Sequence, residues 1–193
     1  MQKTLENLLC AVDGAYKSTA EKLTAAFADI PTLAQASNEA IYDVIDGNMS
    51  IVLYIKLAFA LAERRVTDKF KAKKRYKDGE IFALLRALFF SKCNECVYVL
   101  CFDEDGKFMG YDSVGEGTVN QSALLPRRII EAATRRRARS VVIAHNHPRG
   151  IPVWSDDDRR ATAELQSVLL SAGIRLMHHY VVGCDRCEEI PLS

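Results

Sequence analysis

The sequence predicts an α/β (α+β) domain, a mixed sheet flanked by helices, preceded by a small all-α module. Three observations carry this. In the first sixty-odd residues apolar side chains recur three and four apart with no alternating stretch, which is helical periodicity. Over about the last 115 residues β-forming runs and amphipathic runs take turns, the pattern of one sheet with helices packed on it. Between them lies "RRVTDKFKAKKRYKD", charged and poor in large apolar residues, which reads as a helix end running into a connector and sets the parts at 1–70 and 71–193. With 193 residues, 49% apolar and 26% charged, the chain can fill such cores and is far from a disordered composition.

Within the first module, "LENLLCAV", "TAEKLTAAFA", "IPTLAQAS" and "IVLYIKLAFALAERR" are the helices. Thr19 and Ser37 are the expected N-caps, and a turn holding Gly47 parts the last two helices. In the second part "GEIFALLRALFF" is a helix and "CVYVLCFD" a strand closed by the turn "EDG". "KFMGYDSVGEGTVN" supplies one or two strands bent at glycines. Pro126 takes a favoured first helical position, and Ile129, Ile130 and Ala133 form an apolar stripe beneath a run of arginines. "SVVIA" is a buried strand. A helix from about Asp156 to Ala172 turns Ala161, Leu165, Val168, Leu169 and Ala172 to one side and stops at Gly173. "RLMHHYVVG" closes the sheet.

The net charge of +1 excludes a global field that draws the protein to nucleic acid or membrane, but the charge is unevenly spread. Six arginines stand between Arg127 and Arg139 against one acid, Glu131, and five lysines with Arg75 lie between Lys69 and Lys77. No apolar run reaches the ~18 residues of a membrane span and "MQKTLENLLCAVDG" lacks a signal-peptide layout, so a cytoplasmic protein with no membrane partner is expected. Its six cysteines then read as reduced thiols or metal ligands rather than a disulfide framework.

The chemistry concentrates in "VVIAHNHPRGIPVWSDDD". Strand side chains alternate between faces, so His145 and His147 project together and Asn146 the other way. Pro148 ends the strand, and "RGIPVW" leads into a helix with Ser155 as N-cap and Asp158 as third residue, from which a carboxylate reaches toward the strand end. Two histidines and one carboxylate leave one position of a tetrahedral zinc open, as catalytic sites do and structural ones do not. "SDDD" also fits a capping box with acids on the helix dipole, which alone accounts for Ser155 through Asp158. It does not account for two histidines on one face.

His145-x-His147-Pro148 followed by Ser155-x-x-Asp158 resembles the metal motif of the JAB/MPN (JAMM) metalloproteases, and "AHNHPRG" looks most like the RadC branch, long labelled as DNA repair factors. "GEGTVNQSALLPRRIIEAA" and "HHYVVG" are similar to further segments of that branch, so the resemblance runs from about Lys71 to Ser193. It implies a JAB/MPN fold, one Zn2+ per chain on His145, His147 and Asp158, and cleavage of a peptide or isopeptide bond in a peptide or protein substrate. Family members place a general-base glutamate at the start of the first strand, and the matching position is Glu95; Glu104 and Glu116, also near strands, read as turn and surface residues. The implied mechanism has zinc acidify a water, Glu95 carry its proton to the leaving amine, and the Ser155 hydroxyl steady the oxyanion. Two departures stand out: Arg128 replaces the glutamate usual after Pro-Arg, and Ile151 and Trp154 bring apolar surface to a loop that is commonly small and polar. Trp154 fits either a substrate groove or packing on the helix.

The helical module is similar, more loosely, to the helix-hairpin-helix region that precedes the metal domain in RadC-type proteins. Such hairpins present a G-x-G turn to a DNA phosphate, but "DGNM" keeps Gly47 and sets Met49 at the second glycine's place, which favours a degenerate packing module. Six arginines on one helix suit a weak, sequence-independent DNA contact, a solvated helix face, or attraction of an acidic protein substrate. The rival to hydrolysis is thus a DNA-binding accessory protein of repair or recombination with a structural or vestigial metal. Cys93-x-x-Cys96 and Cys184-x-x-Cys187 have zinc-knuckle spacing, with free thiols as the alternative, while Cys10 and Cys101 read as buried cysteines.

Overall fold

A computed structural model describes residues 1–71, 76–117, 125–147, 151–183 and 186–192, and the chain divides into two units, Met1–Arg65 and Val66–Ser193. The first is helical: α1 (Gln2–Leu9), α2 (Tyr16–Ala26), α3 (Ile30–Gln35), α4 (Asn38–Val44) and most of α5 (Met49–Lys71). Leu5, Leu9, Leu23, Leu33, Ile41, Val52 and Ile55 form its core. Ser37 caps α4 by accepting from the Ala40 amide at 3.1 Å. Thr19 does not cap; it lies inside α2, which starts three residues earlier at Tyr16. Cys10 is exposed, contrary to expectation, because α1 ends at Leu9 and carries its last inward position there.

Between α4 and α5, Asp46 and Gly47 both take positive φ, 56° and 84°. A Cβ on Gly47 would sit 3.2 Å from the Tyr42 hydroxyl, so backbone and packing both ask for glycine. The charged stretch read as a helix end running into a connector is helical through Lys71. Lys, Arg and Glu are good helix formers, and the stretch still buries Thr67 and Phe70, the latter in the core of the sheet unit.

In the second unit α6 (Asp78–Phe89) precedes a five-stranded sheet ordered β2-β1-β3-β4-β5. Its strands are β1 (Cys96–Phe102), β2 (Phe108–Glu116), β3 (Ser140–Asn146), β4 (Arg175–Val182) and β5 (Cys187–Glu189), with α7 (Leu125–Arg135) before β3 and α8 (Asp156–Ser171) after it. β1 runs antiparallel to both β2 and β3, β3 parallel to β4, and β4 antiparallel to β5. Strands β1 and β3 are buried along their whole length, as central strands covered on both faces must be. One face, with Tyr98, Leu100, Phe102, Val142, Ala144 and Tyr180, packs on Leu84, Leu85 and Leu88 of α6. The other, with Val97, Val99, Val141 and Ile143, packs on Ile129, Ala132 and Ala133 of α7 and Leu165 and Leu169 of α8.

Two side-chain expectations change. Ala161 and Val168 are exposed and line a cleft instead of joining the α8 core face, where Thr162 is buried in their place, and Ala172 is exposed too. The six arginines do not share one helix, because α7 ends at Arg135 and Arg137 turns the chain with φ 54°. Four of them are engaged within the protein. Arg127 pairs with Glu131, Arg128 donates to the Val114 carbonyl at 3.1 Å, and Arg135 and Arg136 reach Asp112 at 3.4 and 2.7 Å. The Arg128 departure thus ties α7 to β2. Among the described residues no helix is long and apolar enough to cross a membrane.

Candidate metal centre

A parallel strand pair joined by a helical crossover sets the C-terminal end of the first strand beside the N-terminal end of the helix, where ligand sites of such sheets gather. Here that joins the end of β3, with His145 and His147, to the first turn of α8, with Asp158. One ligand atom from each of these three residues lies within 4.8 Å of the others, so the group could hold a metal ion.

Each side chain is held from behind. Asp158 completes the expected capping box: its Oδ2 accepts from the Ser155 amide at 2.7 Å and from the Ser155 hydroxyl at 2.6 Å, and its own amide donates to Ser155 Oγ at 3.1 Å. The cap uses Oδ2 and leaves Oδ1 facing His145 Nε2 at 3.5 Å. Burial pushes this carboxyl up, but the Ser155 hydrogen bonds, with the histidines adding, hold it below the usual carboxylate range. His147 Nδ1 lies 3.2 Å from the Ile151 carbonyl, an acceptor only, so Nδ1 carries a proton and Nε2 is the nitrogen left for a metal. His145 is 5% exposed, and burial lowers its pKa to about 4, so it is neutral near pH 7. Its Nε2 is buried without a hydrogen-bond partner. A bare imidazole nitrogen and a carboxylate oxygen that converge in this way repel each other unless a cation lies between them, and the N2O donor set suits zinc.

Glu95 immediately precedes β1 and lines the same cleft, about 670 Å³, as His145 and Asp158. Burial raises its pKa, the Asp158 charge adds to the rise and His147 opposes it, so the carboxyl senses both neighbours. Glu104 lies beyond Phe102 at the other end of β1, and Glu116 is exposed at the end of β2; neither lines the cleft. The other lining includes Val97, Leu125, Pro126, Ala161, Leu165 and Val168, an apolar floor under a charged rim of Asp157, Arg160 and Glu164. Trp154 is half-buried and outside that lining, whereas Ile151 and Val153 are exposed, 66% and 56%.

Four residues that the motif did not flag complete the surroundings. Asn146, the middle of H-x-H, accepts from the Cys96 amide at 2.7 Å and donates to the Asn94 carbonyl at 3.1 Å, gripping the backbone on either side of Glu95. The Gly117 amide holds the Glu95 carbonyl at 2.9 Å. His179 on β4 stands 3.2 Å from His145 and 2.8 Å from Thr162 of α8. The signal for His179 was its place in "HHYVVG", on the face that β4 shares with His145; Thr162 offered none beyond its inward position. Pro148 and Cys184 lie outside the described residues, and among the described ones Cys93, Cys96 and Cys187 do not come together as a metal group.

The chain is 28% identical over 153 residues to a UPF0758 protein of Dechloromonas aromatica, covering 79% of this chain and 68% of that one. A UPF0758 protein of Vibrio atlanticus shares 34% over 89 residues, 46% of this chain and 40% of its own. One from Methylibium petroleiphilum shares 31% over 127 residues, 66% and 54% of the two chains. The family model described as the RadC-like JAB domain matches residues 76–188, a stretch that holds β1 to β4, most of β5, the His145, His147 and Asp158 group and Glu95, and the chain therefore belongs to the RadC-like JAB domain family.

Proposed function

We propose that this chain is a zinc-dependent hydrolase of the JAMM type that cleaves a peptide or isopeptide bond. The observation that carries the reading is the convergence of the bare His145 Nε2 on Asp158 Oδ1 at the edge of a cleft that also holds Glu95. His145, His147 and Asp158 would hold the metal, which when bound supplies a Lewis acid and an acidified water. Glu95 does the proton work. Its raised pKa suits a carboxylate that accepts a proton and passes it on to a leaving amine, which a fully solvated glutamate does less well. The Ser155 hydroxyl donates to Asp158 Oδ2, so serving an oxyanion requires it to redirect that one proton. The apolar floor of the cleft accommodates an apolar stretch of peptide substrate beside the scissile bond.

The accessory-protein reading loses part of its support, since Arg127, Arg128, Arg135 and Arg136 are occupied within the protein. The test is metal content and turnover of the parent and Glu95→Gln on a panel of peptide and isopeptide substrates. About one zinc per chain in both is expected, with turnover only in the parent, lower in the variant by roughly 10² to 10⁴. Parent protein that holds no zinc, or a Glu95→Gln enzyme that turns over like the parent, would falsify the reading.

A further inference from the structure

We infer that Thr162 and His179 fix the tautomer of His145 and so aim its Nε2 lone pair at the metal position, making them positioning residues outside the ligand set. The inference rests on the metal-centre reading above and extends it to two residues that touch no metal.

The argument counts protons. Thr162 is fully buried on the inner side of α8, one turn after Asp158. Its hydroxyl has one proton, and its Oγ1 lies 2.6 Å from the Asp158 carbonyl oxygen, which can only accept. The proton therefore points there, and Oγ1 is left to accept from His179 Nδ1 at 2.8 Å. His179 is 7% exposed, and among the described residues its two ring nitrogens bond only to Thr162 Oγ1 and His145 Nδ1. A neutral ring with a proton on Nδ1 has a bare Nε2. That nitrogen sits 3.2 Å from His145 Nδ1, which must then carry the proton between them. In the neutral His145 ring this leaves Nε2 bare, and it is the buried nitrogen without a partner.

The chain of bonds starts at the main-chain carbonyl of Asp158 and ends at His145, whose Nε2 faces the side chain of the same aspartate. It ties the start of α8 to β4 and then to the end of β3, so the two ligands farthest apart in sequence are held in mutual register before a metal arrives. Ring orientation settled on folding need not be settled on binding, and such outer partners typically account for about 10- to 100-fold in metal affinity.

Two measurements test this. In the metal-free parent, long-range 1H–15N NMR of the imidazoles reads the tautomers directly, and His145 and His179 are both expected to be protonated on Nδ1. Zinc titration against a competing chelator then compares the parent with Thr162→Val, which keeps the shape and loses the hydroxyl. A ~10- to 100-fold weaker affinity is expected, with Thr162→Ser close to the parent. His145 protonated on Nε2 in the metal-free parent, or Thr162→Val with parent affinity, overturns the inference. A parent that binds no zinc sinks the metal reading instead and leaves the tautomer measurement standing, and that measurement needs no variant to fold.

Discussion

Replacing Asn146 by alanine removes the grip on the segment that carries Glu95, and the effect can be worked out from two hydrogen bonds. The first, from the Cys96 amide at 2.7 Å, is buried, and Cys96 itself is 2% exposed. Its loss strands a main-chain N–H away from water, which costs about 1 to 3 kcal/mol. The second, to the Asn94 carbonyl at 3.1 Å, is partly buried, and because Asn94 is exposed its oxygen regains water, so the loss is about 1 kcal/mol. Together these give a destabilisation of about 2 to 4 kcal/mol, which lowers the thermal midpoint by roughly 10 °C. The assay is urea unfolding of metal-free protein followed by the single tryptophan, Trp154, which lies in the sheet unit and reports on that unit alone. Turnover should fall further than stability accounts for, at unchanged zinc content, since the Glu95 backbone keeps only the Gly117 bond of the three that flank it. A loss below about 0.5 kcal/mol, the ordinary scatter of surface changes, would refute the reasoning, because it would mean water or a shifted backbone satisfies Cys96 without Asn146.

Ser155→Ala removes a helix cap and a candidate oxyanion donor together, so it should cost about 1 kcal/mol of stability and slow turnover by roughly 10² to 10³, with unfolding and kinetics measured separately; full turnover would leave Ser155 a cap only. Asp112 carries the pH prediction: burial raises its pKa, but Arg136 hydrogen bonds and charge, helped by Arg135, outweigh this and hold the carboxyl below its ordinary value of 3.8. Its stabilisation is therefore complete above pH 3.8 and fades as pH falls through the lowered value, so Asp112→Asn should be less stable than the parent at pH 7 and approach it in acid; a gap constant down to about pH 2 contradicts the pairing. DNA binding is expected to be weak and blind to sequence, with a steep fall in salt that Arg137→Ala and Arg139→Ala reduce; tight binding at physiological salt, lost on changing Gly47, would make the helical module a DNA reader.

What the sequence determined by itself is what short-range geometry encodes. Strand alternation put His145 and His147 on one face, and capping chemistry put Asp158 at the third position of α8 with its box closed. The apolar runs announced the buried strands β1 and β3 for the same reason, since period two and period 3.6 are legible within a single element. Tertiary structure decided everything that depends on which elements are neighbours. The bonds from Thr162 to His179, His179 to His145, and Asn146 to Cys96 join residues 17, 34 and 50 apart, and none exists until β1, β3 and β4 pair in that order. The arginine run shows the same limit in reverse. Its charge was plain in the sequence, but only the approach of α7 to β2 gave Arg128, Arg135 and Arg136 partners there, because a side chain's preferred partner is set by what lies within a few ångströms and not by its place in the chain.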